Sequence, residues 1–183
     1  MHHRVRYALF ELYSNMYFSR ITPSEEPIDV VILVIRKDLD VLPFCIEGIK
    51  QNVRNIIKDI YIVAPKDDQI IQFCKEYNLK YIDEKLVLNI SPKDINLTIN
   101  NKDGSTLDRS GWLFQQLIKL SAEIGSTDNY LTVDSDHIFI KPITFLSNKG
   151  IPVFYKSREH NIPYYDFKIR VCRKCPWVTS KTK

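Results

Sequence analysis

An α/β domain built on a mostly parallel sheet is the fold class this sequence predicts, and three observations predict it. Apolar, β-branched runs alternate along the chain with stretches whose apolar residues recur at helical spacing. The strongest run, "IDVVILVI" (Ile28 to Ile35), is apolar without alternation, as in a strand covered on both faces. The order strand, helix, strand then repeats, and such repeats join parallel strands through right-handed crossovers.

After the first strand, Leu42, Ile46, Ile49 and Val53 recur at the spacing of one helix face. "DIYIVAP" (Asp59 to Pro65) reads as a second strand stopped by proline, and "KDDQIIQFCKEYN" (Lys66 to Asn78) as a second helix with Asn78 as its C-terminal cap. "LKYIDE" (Leu79 to Glu84) is a short third strand. Residues 85 to 107 have no period and are rich in turn formers, which predicts a long loop, a feature that in a compact domain is usually functional or mobile. "RSGWLFQQLIKLSAEIG" (Arg109 to Gly125) reads as a third helix and "NYLTVDSD" as a fourth strand. The core strands Val30–Val34, Tyr61–Val63 and Leu131–Val133 are expected to be neighbours.

Composition narrows the class. A chain of 183 residues with 44% hydrophobic and 26% charged residues suits one globular domain. The longest apolar run, "VVILVI", is strand-sized and far short of the roughly 20 residues that span a bilayer. The opening "MHHRVRYALFELYSNMYF" lacks the clean apolar core and small-residue cleavage site of a signal peptide. Residues 1–27 are therefore expected to be an amphipathic extension, residues 167–183 a basic tail, and the cytoplasm the compartment. The net charge of +4 conceals an asymmetry: from Lys156 onward, eight Lys and Arg face only Glu159 and Asp166, so the first 155 residues carry −2. Such a body lacks the basic surface that nucleic-acid binding needs, so no nucleic-acid partner is expected.

Four cysteines make no disulfide framework at this length. Cys45 and Cys74 sit among apolar residues and read as small core side chains. Cys172 and Cys175 have zinc-knuckle spacing, but no second pair follows and His160 is the only histidine nearby, so the motif is half a site.

On a wheel of the third helix, Leu113, Leu117, Leu120 and Ile124 share one face, with Phe114 and Ile118 beside them. Trp112, Gln115, Gln116 and Lys119 gather opposite. Either that polar face meets water or it orients a polar ligand, and Trp112 does not suit a solvated face. Leu113 and Leu117 are expected against the sheet.

The stretch "YLTVDSDHIFIKP" sets Asp134 and Asp136 at the exposed end of a buried strand. Two carboxylates that close repel unless a cation lies between them. Magnesium and manganese prefer oxygen ligands, take one or two carboxylates from a protein, and share the rest of their shell with water and phosphate. In parallel sheets ligands bind beyond the carboxyl ends of the strands, where this motif falls. The two side chains are expected to converge on one opening, with no lysine or arginine neutralising both.

"GWLFQQLIKLSA" followed by "YLTVDSDHIFIKP" resembles the helix and Asp-x-Asp strand of GT-A-type nucleotide-sugar glycosyltransferases, most closely their little-characterised members. "IDVVILVIRKDLDVLPFCIEGIKQNV" resembles their opening strand, nucleotide-binding loop and first helix. The likeness runs from Ile28 to Asp166 and implies a GT-A-like, Rossmann-like domain over residues 28–166. It further implies a nucleoside-diphosphate sugar as donor, Mn2+ or Mg2+ as cofactor, and a glycan, lipid or protein acceptor. By the same resemblance Asp136 binds the metal directly and Asp134 contacts the metal or the ribose. Lys37 and Asp38 lie near the base, and Arg109, Gln116 and Lys119 face the sugar or diphosphate. Only 47 residues follow Asp136, fewer than such enzymes use to build an acceptor site, so a C-terminally truncated member that keeps the donor half is expected. Two other classes fit less well. One is a non-catalytic remnant that binds a nucleotide sugar or a partner protein. The other is a metal-dependent phosphatase, whose Asp-x-Asp usually ends the first strand rather than the fourth.

Overall fold

The computed structural model describes Leu9, Leu12, Met16 and residues 21–100, 103–121 and 124–155. The chain divides into two units, Met1–Val153 and Phe154–Lys183, the first of which holds the whole sheet. Leu9, Leu12 and Met16 are helical and exposed. Most of the 1–27 extension, the boundary at Asp166, the 167–183 tail, His160 and the Cys172–Cys175 pair lie outside the described residues.

The protein is α/β, with a four-stranded parallel sheet flanked by helices. In chain order the elements are β1 (Ile28–Leu33), α1 (Leu42–Asn52), β2 (Ile57–Ala64), α2 (Asp68–Glu76), β3 (Lys80–Asp83), a single turn α3 (Glu84–Val87), β4 (Thr98–Asn100), β5 (Thr106–Asp108), α4 (Ser110–Lys119) and β6 (Tyr130–Asp134). The sheet order is β3-β2-β1-β6. Strand β1 is flanked by β2 and β6, with Val30 opposite both Ile60 and Leu131 and Ile32 opposite both Ile62 and Val133. The three core strands are thus neighbours, as their sequence predicts.

All six residues of β1 are buried, because both of its faces are covered. Val30, Ile32 and Val34 pack with Leu42, Cys45, Ile46 and Ile49 of α1 and with Ile70 and Cys74 of α2. Val31 and Leu33 pack on the other face with Val63, Phe114, Ile118 and Ile124. Cys45 and Cys74 are free thiols in the core, as expected. Helix α2 closes as predicted, with Asn78 in the left-handed region at φ 54°. The Leu79 amide donates to the Cys74 carbonyl and the Asn78 amide to that of Lys75, which completes a Schellman cap.

Two expectations need correction. The 85–107 stretch is not one long loop: besides α3 it carries a 3-10 turn at Pro92–Asp94 and the antiparallel pair β4–β5. The third helix ends at Lys119, not Gly125, and buries Ser110, Phe114 and Ile118 instead of the leucine face. Leu113 is half-buried, whereas Leu117 and Leu120 are exposed. The reason lies just past the helix. The chain turns out of it so that Ile124 reaches the core beside Phe114 and Ile118. Gly125, at φ 103°, then turns the backbone toward the buried Asp29.

Asp29 is fully buried at the start of β1. Its Oδ2 accepts from the Ser126 amide and hydroxyl and from the Thr127 amide at 3.0 Å, and its Oδ1 accepts from the Asp59 amide at 3.1 Å. Its own amide donates to the Thr127 hydroxyl. A buried carboxylate is tolerated because both of its oxygens are hydrogen-bonded. A side chain at position 125 would stand 2.9 Å from Asp29 Oδ2, so only glycine fits there. Beyond β6 the chain crosses back over the C-terminal end of α1. Asn52 donates to the Phe139 carbonyl, and buried Asn55 accepts from the Phe145 and Leu146 amides while donating to the Leu146 carbonyl.

Asp29→Ala leaves the amides of Asp59, Ser126 and Thr127 without their acceptor. We expect a loss of about 3 kcal/mol or more in a urea titration, since each bond to a buried charged acceptor is worth roughly 1.5–3 kcal/mol. Burial also pushes the Cys45 and Cys74 thiols up to about 11 from an ordinary 9.0. The unfolded chain ionises these thiols first. The stability they contribute is therefore complete below about pH 9 and is lost as the pH climbs toward about 11. Unfolding titrations across that window should show the decline, and Cys74→Ala should make it shallower.

Candidate functional site

The C-terminal edge of the sheet gathers the charged residues. Because β6 pairs with β1 in parallel register, Asp134 lies opposite Leu33, one residue before β1 gives way to Val34 and the 3-10 turn Arg36–Asp38. At this edge the strand order reverses, with β2 leaving on one side of β1 and β6 on the other. Such a switch point is where open parallel sheets bind ligands.

Asp134 is fixed through its backbone. Its carbonyl accepts from the His137 amide at 3.0 Å, closing a turn, and from the Cys45 thiol at 3.6 Å. Ser135 is buried in that turn, and Asp134 and Asp136 are both exposed. Both carboxylates reach Cys45 electrostatically: burial is the main reason its thiol is pushed up, and the charges of Asp136 and then Asp134 add to it. The turn is held against α1 by main-chain contact, since a Cβ on Gly48 would stand 2.9 Å from the Phe139 amide nitrogen. His137 packs its ring on Phe139, with centroids 4.8 Å apart, the local packing role that its position beside Asp136 suggests.

Lys119 reaches this edge although it is the last residue of α4. Helical side chains lean toward the helix N-terminus, and in a parallel α/β layer that direction leads to the carboxyl ends of the strands. Its carbonyl accepts from the Tyr130 hydroxyl at 3.0 Å, and its ammonium pairs with Asp134 Oδ1 at 2.5 Å. Lys119 therefore neutralises Asp134 and leaves Asp136 alone. Among the described residues the Asp136 carboxylate has no hydrogen-bond or ion-pair partner.

The remaining predicted site residues divide between two elements. Lys37 and Asp38 occupy the turn after β1, Lys37 exposed and Asp38 accepting the Ile35 amide at 3.2 Å, so the Asp38 carboxylate is engaged in its own turn. Arg109 and Trp112 form a unit at the start of α4, with the guanidinium 5.0 Å from the ring centroid. This contact gives the exposed Trp112 a cationic partner. Gln115 and Gln116 lie half-buried between that unit and Lys119. The β4–β5 hairpin sets the start of α4: Arg109 donates its amide to the Leu97 carbonyl, and Asp108 accepts from the Ser110 amide.

Two residues at this edge were not among the predicted ones. Arg36 pairs with Asp67 at 2.7 Å, bridging the chain after β1 to the chain after β2. The Arg36 hydrogen bond holds the Asp67 carboxyl below the usual carboxylate range, and Asp67 also caps α2 by accepting the Gln69 amide. The sequence signal for Asp67 is the capping position in "PKDDQ"; Arg36 has none beyond following a strand.

No cluster of three or more His, Cys, Asp or Glu side chains able to hold a metal is found among the described residues, and no described helix is long and apolar enough to cross a membrane. No curated protein matches the chain. A family model does match, over residues 38–175. That span holds α1, α4, Lys119 and both aspartates of the strand end, and it makes the chain a member of the family of unknown function DUF6492.

Proposed function

We propose that the domain binds a nucleoside-diphosphate sugar through a divalent cation at Asp134 and Asp136, and that it is a GT-A-like glycosyltransferase. The observation that carries the reading is the pair of exposed carboxylates, one unpaired among the described residues, at the carboxyl end of the strand beside β1. The donor set fits magnesium or manganese, which accept one or two carboxylates and complete their shell with water and phosphate oxygens. With no third protein ligand among the described residues, the cation is held well only together with the diphosphate. When bound, it would neutralise charge on the departing diphosphate.

The chain's own residues have separate tasks. Asp136 supplies the free carboxylate for the cation, and the Asp134 carbonyl, bonded by the Cys45 thiol and the His137 amide, holds the turn that carries both aspartates. Arg109, stacked on Trp112, offers a fixed guanidinium for a phosphate or sugar oxygen. Gln115 and Gln116 present amides to sugar hydroxyls, while Lys37 and the turn shaped by Asp38 border the base. A hydroxyl of a glycan, lipid or protein is the acceptor.

Manganese titrated calorimetrically in the presence of UDP or GDP should bind the wild-type protein and lose that binding in Asp136→Asn. Because Asp136 is exposed and unpaired among the described residues, the variant should keep its thermal midpoint or gain slightly from reduced repulsion. Equal binding by both proteins, or none by either, would remove the metal site and with it this function.

A further inference from the structure

Asp134 and Asp136 form the proposed cation site, and the role of Lys119 argued here rests on that reading. Lys119 already occupies the site with a cation of its own. Its ammonium sits 2.5 Å from Asp134 Oδ1, and its side chain is only 17% exposed while that of Asp134 is 66% exposed. The lysine is thus the packed partner and the aspartate the accessible one. A divalent cation on Asp134 would have to share a carboxylate that is already bonded to the ammonium. Two cations on one carboxylate would also repel each other.

We propose that Lys119 is an exchangeable counter-cation that makes metal binding depend on the diphosphate. With the site empty, Lys119 neutralises Asp134. When the divalent cation takes Asp134, the ammonium is displaced and its charge passes to the diphosphate oxygens. Charge accounting gives the sign. Two aspartates and one lysine carry a local charge of −1, so a divalent cation alone leaves a surplus of +1, which an anionic diphosphate removes. Without the lysine, a divalent cation neutralises the pair by itself. The geometry permits the exchange, because the Lys119 carbonyl is anchored by the Tyr130 hydroxyl while the four-carbon stem beyond it is flexible. Lys119 is therefore a positioning residue that couples two ligands and contributes no chemical step.

The test is calorimetric titration of manganese into the full chain, with and without UDP, for wild type, Lys119→Met and Lys119→Arg, thermal midpoints being measured alongside. We expect Lys119→Met to bind manganese alone about two- to fivefold more tightly than wild type, the range an exposed ion pair gives. The factor by which UDP tightens manganese binding should be smaller in Lys119→Met than in wild type, the part due to direct phosphate coordination remaining, and should persist in Lys119→Arg. By linkage, manganese should tighten UDP binding by the same factor in each protein. If Lys119→Met does not fold, Lys119→Gln takes its place with the same expected pattern. Manganese binding that is unchanged or weaker in the folded neutral variant, with the UDP factor intact, overturns the role of Lys119 and leaves the metal site standing. Absence of manganese binding in every protein, with and without UDP, overturns both.

Discussion

The fold is organised by a carboxylate that never meets solvent. Asp29 opens β1, and its side chain collects amides from the start of β2 and from the turn that leads into β6. These segments lie 30 and nearly 100 residues away in the chain. One residue thus clamps the beginnings of three adjacent strands, and the register at that end sets the register at the other. With Asp29 opposite Tyr130, four further steps along the ladder bring Leu33 opposite Asp134. The candidate edge is positioned by counting from a clamp at the far end of the sheet.

The two ends of the sheet solve opposite electrostatic problems. At the Asp29 end a carboxylate is buried with both oxygens hydrogen-bonded, which favours rigidity. At the other end charges are bridged in pairs between elements, Arg36 with Asp67 and Lys119 with Asp134, and one partner of each pair remains accessible. Ion pairs of this kind add little to stability because water competes with them. What they determine is where positive charge stands when nothing is bound. Asp136, left out of the pairing among the described residues, is the point at which the edge can accept more.

Much of the scaffold could be read from residue order alone. The three core strands were legible because β1 is apolar on both faces and the other two end at a proline or at paired aspartates, signals that are local and strong. The facing of α4 was not legible. Leu113, Phe114, Leu117, Ile118 and Leu120 spread apolar surface around nearly half of the helix, so a wheel alone cannot choose between the leucine side and the Phe114–Ile118 side. The choice is made by Ile124 and Gly125, which must leave the helix to serve the core and the Asp29 clamp. In the candidate site, the aspartate pair and the polar face of α4 were visible as residue types at suggestive spacings. The partnership of Lys119 with Asp134 was not, since it depends on how a helix end leans across a strand.

The contact between Gly48 and the Phe139 backbone has an evolutionary consequence. A main-chain surface presents nearly the same shape whatever side chain it carries, so substitutions at 139 place no demand on 48. Correlated change between homologous sequences would carry no trace of this contact, however closely the two segments touch. What would persist is a glycine in the middle of a helix, a position where intrinsic preference disfavours it by about 1 kcal/mol relative to alanine. In alignments of DUF6492 members such an unexplained glycine, rather than any covarying pair, would mark where the turn bearing Asp136 rests on the helix that precedes β2.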